Sequence, residues 1–586
     1  MELRAKRHPS LMRKKYFSML LGGTLTMMVV SIMLMSDSII AGAVLGADAV
    51  AGVTLVTPVY SFSAFFGTVI SLGVPILYST EMGKFNKKGA DQAFGFGLLM
   101  AIVVGVLLFA LTSAFGDLYL RSNHPSETVL KQARDYLFWM RFTVLVMPMQ
   151  MLMGAAVYGD GDETVSTIAN AAQGLGNIGL SIFLSFVMGI SGIGLASFLF
   201  NIVSILILMT HFLKKSNSLR CNLYFSVGMI RKVVSYSIID SSSYLFLSVF
   251  TAALNAFVSA RFGPEYLILA SVITLCREFQ LLFDGIGEAV GPIFGVYVGE
   301  ENHEGLRASY ALANRTAIVE GLAVTLVLVL IAPLVPGFLN VENPELARWV
   351  VTGVRLTALG STFVSILYLL TSYYLVIEQI AIGLVACALR DVVLSIGLSV
   401  ALGMAFDQTG MFIGLAAAPA VAYALFMIFI RVRYGKKDCP LLLSKVPGDD
   451  RSYLFQLSAE PEEIIGVQKK VEALLAENSV DLRSVGKVKL LIEELYMLIR
   501  EKNGDKTVLS ELTVFLHPDE IKIITKDDGV LFDISEEDVN VTSIAAFAVS
   551  SYMEKLGENR RHLTTMSFNR SAFVIKTRTN GKEANP

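Results

Sequence analysis

The sequence predicts an all-α membrane protein of twelve transmembrane helices, built as two parallel six-helix repeats and followed by a C-terminal soluble α+β domain. Three observations predict this. The 586 residues are 54% hydrophobic and only 17% charged, with a mean hydropathy of +0.60, whereas soluble chains carry about 25% charged residues. The charge is uneven: residues 445–586 hold 19 Lys and Arg and 24 Asp and Glu, leaving 55 charges for the first 444 positions. A glycine-rich turn recurs at a fixed offset along the apolar part. Together these exclude a soluble multidomain enzyme. The net charge of −2 points to no nucleic-acid partner, and Cys221, Cys276, Cys387 and Cys439 are too scattered for a disulfide framework or a metal site.

A bilayer core requires about 20 apolar residues per helix. Cutting the apolar runs at charged and Gly-, Asn-, Asp- or Pro-rich breaks yields spans at 16–44, 49–79, 92–115, 133–157, 163–187, 192–213, 230–261, 265–298, 309–332, 346–376, 380–404 and 410–434. The first is longer than the h-region of a cleaved signal peptide and is expected to remain as a span. Pro58, Pro75, Pro148, Pro292 and Pro419 fall in or near spans and are candidate hinges.

Basic residues in short connections set orientation, because Lys and Arg are retained on the cytoplasmic side. Arg4, Lys6, Arg7, Arg13, Lys14 and Lys15 precede span 1, and Lys84, Lys87 and Lys88 follow span 2. Lys214, Lys215, Arg220, Arg231 and Lys232 flank the 6–7 link, and Arg431, Arg433, Lys436 and Lys437 follow span 12. The turns at 45–48, 188–191 and 405–409 carry no basic residue. Both termini are therefore expected in the cytoplasm. The expected organisation is a basic N-terminus (1–15), a first lobe (16–213), a link (214–229), a second lobe (230–434), a linker (435–449) and the tail domain (450–580).

The connection after span 2, MGKFNKKGA from Met82, is echoed after span 8 by VGEENHEGL from Val298. At an offset of 216, Gly83 matches Gly299, Asn86 matches Asn302 and Gly89 matches Gly305. A second echo pairs Gly194-Leu195-Ala196 with Gly414-Leu415-Ala416. An even number of spans separates equivalent points, so the duplicated halves run parallel, the plan of many alternating-access transporters.

These features, with the run DSIIAGAVLG from Asp37, the GxxGxGLA pattern at 189–196 and GIGEAVGPIFG from Gly285, resemble the multidrug and toxic compound extrusion (MATE) family. Asn177 matches the first residue of that family's NxxxD pattern, Ser181 replaces its carboxylate, and Asn255 fits a further family position. The resemblance implies an antiporter of the bacterial plasma membrane that exports organic, often cationic, compounds, with H+ or Na+ as the coupling ion and no other cofactor. Its partners would be a small organic substrate, membrane lipid and, through the tail, a cytoplasmic regulatory protein.

An ionisable side chain at the centre of a span costs about 2.5–3.5 kcal/mol on insertion scales, so it marks a candidate site. Asp37, among small residues in span 1, is the candidate coupling carboxylate, with Asn177 as its polar neighbour. Asn255 and Asp240 are further cation or substrate candidates in span 7. Arg277, Glu278, Asp284, Glu288, Arg390 and Asp391 form a second-lobe set readable either as a structural ion-pair network or as a site. Asp284 and Glu288 share an i, i+4 face, on which Arg277 nearly falls.

In the tail, residues 464–477 and 485–502 read as amphipathic helices, and LTVFLHP, EIKIITK and SAFVIKT read as strands. With Glu493-Glu494 on a helix and the later Asp527-Asp-Gly529, it resembles the GHKL-type ATP-binding domain of anti-sigma-factor kinases. That family's Mg2+-holding Asn is replaced here by Met497 or Leu498, and no glycine-rich lid appears between Val541 and Met553. The expected tail is a vestigial, non-hydrolysing regulatory domain with no metal site. Two other functions remain open: a membrane-anchored sensor acting through its tail, and a lipid-linked glycan flippase.

Overall fold

The computed structural model describes residues 10–577 except 84–85, 161, 215–216, 218, 438, 447–450, 505 and 531–568. The absent lid at 541–553 therefore lies outside the described residues. The helices are α1 (Leu11–Leu45), α2 (Ala47–Gly83), α3 (Lys87–Ser122), α4 (Glu127–Gly159), α5 (Glu163–Ala171), α6 (Asn177–Met188), α7 (Ile190–Met209), α8 (Val227–Phe262), α9 (Leu267–Gln280), α10 (Asp284–Gly299) and α11 (His303–Ile331). They continue with α12 (Val335–Phe338), α13 (Pro344–Leu359), α14 (Ser361–Val376), α15 (Ile380–Ala388), α16 (Leu394–Tyr434), α17 (Pro461–Glu477) and α18 (Leu482–Asn503). The strands are β1 (Ser452–Ser458), β2 (Leu509–Leu516), β3 (Glu520–Asp527) and β4 (Asn569–Lys576). Two compact units result, one of residues 24–284 and 317–429, the other of residues up to 23, 285–316 and from 430 onward.

In the first unit, helices with apolar residues all round bury one side against each other and leave the other bare. Ile102, Val103, Val106, Leu107 and Leu111 of α3 are all exposed, as a lipid-facing surface requires. Among the described residues, ten helices are long and apolar enough to cross a membrane, or eleven if α13 and α14, bent by 43°, form one span. This is fewer than the twelve expected. The run Ile380–Tyr434 enters that number once, although at 55 residues it far exceeds a bilayer crossing. Its backbone is non-helical at Phe406 and Asp407. A Cβ on Gly410 would strike the Leu402 carbonyl, as one on Gly192 would strike that of Leu184 between α6 and α7. The chain reverses at both places.

The two reversals are equivalent. Gly189 has φ 62° and ψ −143°, and Asp407, 218 residues later, has φ 52° and ψ −142°. The only two π-helical turns among the described residues, Ala172–Gly176 and Leu389–Val393, are 217 apart. Asn86 Oδ1 accepts the Gly89 N–H at 3.0 Å, and Asn302 Oδ1 accepts that of Gly305 at 2.9 Å. The repeat read from two short echoes thus extends to backbone geometry.

Asp407 occupies a conformation suited to glycine. Such strain costs about 1–3 kcal/mol, whereas its exposed ion pair with Arg261, at 2.9 Å, is worth only about 0.2–1 kcal/mol. Asp407→Gly is therefore expected to raise the melting temperature in detergent. A lower value would mean that the ion pair outweighs the strain.

The second unit contains an antiparallel sheet in the order β1-β2-β3-β4. Alternation sends Leu512, Val514, Leu516, Ile521, Ile523, Phe573 and Ile575 to a core shared with α17 and α18. The opposite face carries Glu511, Thr513 and Lys526, none of them exposed. Asp481 caps α18 by accepting the Ser484 N–H at 2.9 Å. The three strands expected from sequence are present, with β1 in addition.

Candidate functional site

Asp37 lies in the last third of α1. Its Oδ2 accepts hydrogen bonds from the Tyr136 hydroxyl of α4 at 2.6 Å and the Ser197 hydroxyl of α7 at 3.2 Å. Ser197 Oγ also lies 3.4 Å from Asn177 Oδ1, which accepts from Ser181 Oγ at 3.1 Å. Asn177 therefore reaches Asp37 through Ser197 rather than directly, and Ser181 joins the chain as a donor. Three helices converge here because small residues allow it: a Cβ on Gly194 of α7 would lie 3.0 Å from Trp139 Cβ of α4. The buried Asp37 Oδ1 has no hydrogen-bond partner among the described residues. One carboxylate oxygen is thus anchored and the other available.

Glu278 and Tyr60 lie within electrostatic reach of Asp37. Glu278 is buried and its Oε2 also lacks a partner among the described residues. Its charge therefore belongs with the Asp37 cluster and not, as its sequence neighbourhood suggests, with Arg277. Asn255, fully buried in α8, donates to the Thr54 carbonyl at 3.1 Å. Asp240 lies in α8, but its side chain is outside the described residues.

The second constellation is an ion-pair network. Arg390 and Asp391 share the π-turn after α15, where Arg390 Nε and Nη2 donate to the two Asp391 oxygens at 2.8 and 2.7 Å. Arg277 of α9 donates to Asp391 Oδ1 at 3.2 Å and to its carbonyl at 3.1 Å. Each guanidinium covers a ring, Arg390 that of Tyr368 at 3.8 Å and Arg277 that of Phe250 at 4.6 Å. Two cations, one anion and two aromatic faces thereby tie α8, α9, α14 and the π-turn together. A 3-10 turn, Leu281–Phe283, separates Arg277 from Asp284, so the simple helical face drawn from sequence is broken. Asp284 lies within electrostatic reach of Tyr244 and Tyr368. Glu288 approaches Gly23 of α1, where an added Cβ would lie 3.2 Å from its Oε2.

In the tail, Asp527 Oδ1 accepts from the Gly529 N–H at 3.0 Å and from Asn569 Nδ2 at 2.8 Å. Glu493 accepts from Gln468 Nε2 at 3.4 Å and is exposed, while Glu494 is half-buried. Glu493 and Asp527 thus hold different hydrogen-bond partners, and Asp527 is engaged by its own turn and by Asn569. Sequence reasoning missed Tyr136, Ser197, Tyr60 and Tyr368. Tyr and Ser are common in apolar helices, and only the folded arrangement distinguishes those that meet a charged group.

The long apolar helices mark a multi-pass membrane protein. A family model described as MatE matches residues 24–187. The chain is similar to an inward-facing multidrug resistance MATE family transporter of the MOP superfamily, with TM-score 0.65, 19% identity, and 71% of this chain and 97% of that one covered. An outward-facing structure described in the same terms matches with TM-score 0.57 and 19% identity over 72% and 96% of the two chains. A MOP superfamily transporter from Pyrococcus furiosus Vc1, described as having a binding pocket of reversed polarity that suggests a different function, matches with TM-score 0.56 and 18% identity over 72% and 96%. A search of curated proteins finds no match.

Proposed function

We propose that this protein is a secondary active exporter that moves organic, cationic or amphipathic compounds out of the cell by alternating access coupled to H+ or Na+. In this reading the membrane domain crosses the bilayer twelve times, both termini are cytoplasmic, and the tail is a GHKL-like regulatory domain without ATPase activity. The observation that carries it is the Asp37 carboxylate, held on one oxygen by Tyr136 and Ser197 with its other oxygen unpaired among the described residues, inside a fold similar to MATE transporters. Gain or loss of a proton or Na+ at such a group changes its hydrogen bonding and charge at once. That change gives two helix arrangements different stabilities, as a coupled carrier requires. Proteoliposomes loaded with an organic cation test this under separately imposed H+ and Na+ gradients. Efflux driven by one gradient is expected, and efflux indifferent to both would remove the antiport reading.

The tail is expected not to bind Mg-ATP at micromolar concentration, because Met497 or Leu498 stands where the family's Mg2+-holding Asn would be and Asp527 Oδ1 already accepts hydrogen bonds from Gly529 and Asn569. Calorimetry of the full chain with ATP and Mg2+, beside Asp527→Asn, checks this. Micromolar binding lost in the variant would instead favour the sensor reading.

A further inference from the structure

The connection between α10 and α11 is acidic where its repeat counterpart is basic. At the offset of 216, Lys84 becomes Glu300 and Lys88 becomes Glu304. Both glutamates are bound by the tail. Glu300 pairs with Lys526 of β3 at 2.7 Å and with Arg570 of β4 at 3.1 Å, and Glu304 Oε2 accepts the Leu454 N–H of β1 at 2.8 Å. Tyr297 donates to Glu511 of β2 at 2.8 Å, and Asn302 to Thr513 at 3.1 Å. In the other half, the same amide of Asn86 turns to local Glu81 at 2.8 Å. The buried polar residues of this sheet face, Glu511, Thr513 and Lys526, therefore find their partners in this connection. Burial disfavours the Lys526 ammonium, but Glu300 and Glu511 outweigh it and hold its pKa above the ordinary value. The cation is thus retained below about pH 10.5 and would be lost only as pH rises through the elevated value.

The same strand end reaches α1. Lys14 pairs with Asp528, just past β3, at 2.9 Å, and Tyr16 hydrogen-bonds Thr316 of α11. We infer that the tail is a built-in latch that clamps the start of α1, from the first six-helix half, to the α10–α11 connection of the second, and so restrains the exchange between access states. This rests on the exporter reading for its consequence but not for its geometry. Breaking one partner of a buried ion pair leaves an uncompensated charge, so the latch opens when Glu300 is replaced.

The test uses the full chain with Cys221 and Cys439 changed to Ser and spin labels at Ser18→Cys and Ala311→Cys, both exposed. Wild type is expected to show one narrow distance. Glu300→Lys, which lies outside the tail and restores the charge of its counterpart, should broaden it, Lys526→Met should do the same, and the double variant should add nothing. Hydrogen exchange of β2 confirms that the tail stays folded. In vesicles, Glu300→Lys is expected to raise flux severalfold. An unchanged distance overturns the latch, as does, where wild-type vesicles carry flux, a broadened distance with unchanged or lower flux. Wild-type vesicles without any flux would count against the exporter reading, while the distances would still decide the latch.

Discussion

Asp37→Asn is expected to reduce gradient-driven efflux to the level of protein-free vesicles while leaving the amount of folded protein unchanged. The geometry supports both halves of this result. The amide carbonyl can take the place of Oδ2 and keep the donations from Tyr136 and Ser197, and its NH2 then points where Oδ1 has no hydrogen-bond partner. Shape and polarity are preserved, so the melting temperature should shift by no more than roughly 2–4 °C. The ability to change charge is lost. Efflux like that of wild type, measured under the gradient that drives the parent protein, would take Asp37 out of the coupling mechanism and move attention to Glu278.

Arg390→Ala is expected to be the most destabilising single substitution in the membrane domain. Arg390 is 1% exposed and makes both hydrogen bonds of a bidentate pair with Asp391. Its removal leaves a half-buried carboxylate with only the longer Arg277 contact and strips the Tyr368 ring of its cation. Breaking a buried pair in this way costs about 3–5 kcal/mol, a large share of what holds most domains folded. Arg277→Ala should cost less, because Asp391 keeps its bidentate partner. Size-exclusion profiles and melting temperatures in detergent give the comparison. Equal, near-wild-type behaviour of both variants would mean that these groups are solvated, contrary to their burial.

Much of the helix layout was legible because apolar runs of bilayer length leave few alternatives. The reversal at Phe406–Asp407 falls within the predicted turn at 405–409. The bend at Gly360 was not legible, since hydropathy does not fall between α13 and α14 and the two read as one span. Of the candidate site, Asp37 stood out as an ionisable residue in apolar surroundings, and Asn177 through the resemblance to the family's NxxxD pattern. Their link through Ser197 was not, because a serine 160 positions from Asp37 declares nothing about its neighbours. Glu278 adjoins Arg277 in sequence yet acts on another cluster, since consecutive helical residues point about 100° apart. In the tail, alternation identified the strands but not that both faces of the sheet are covered. Glu511, Thr513 and Lys526 read as a solvated face until the acidic connection is seen to fill it.

The paired π-turns have a historical consequence. A π-turn arises when one extra residue is accommodated within an α-helix, and here it stands at matching places in the two halves, 217 residues apart. A single insertion, made when the ancestral chain had six helices, accounts for both. The matching positions carry different residues, Gln173 and Gly174 in one half and Arg390 and Asp391 in the other, so the shared irregularity is one of backbone and not of side-chain chemistry.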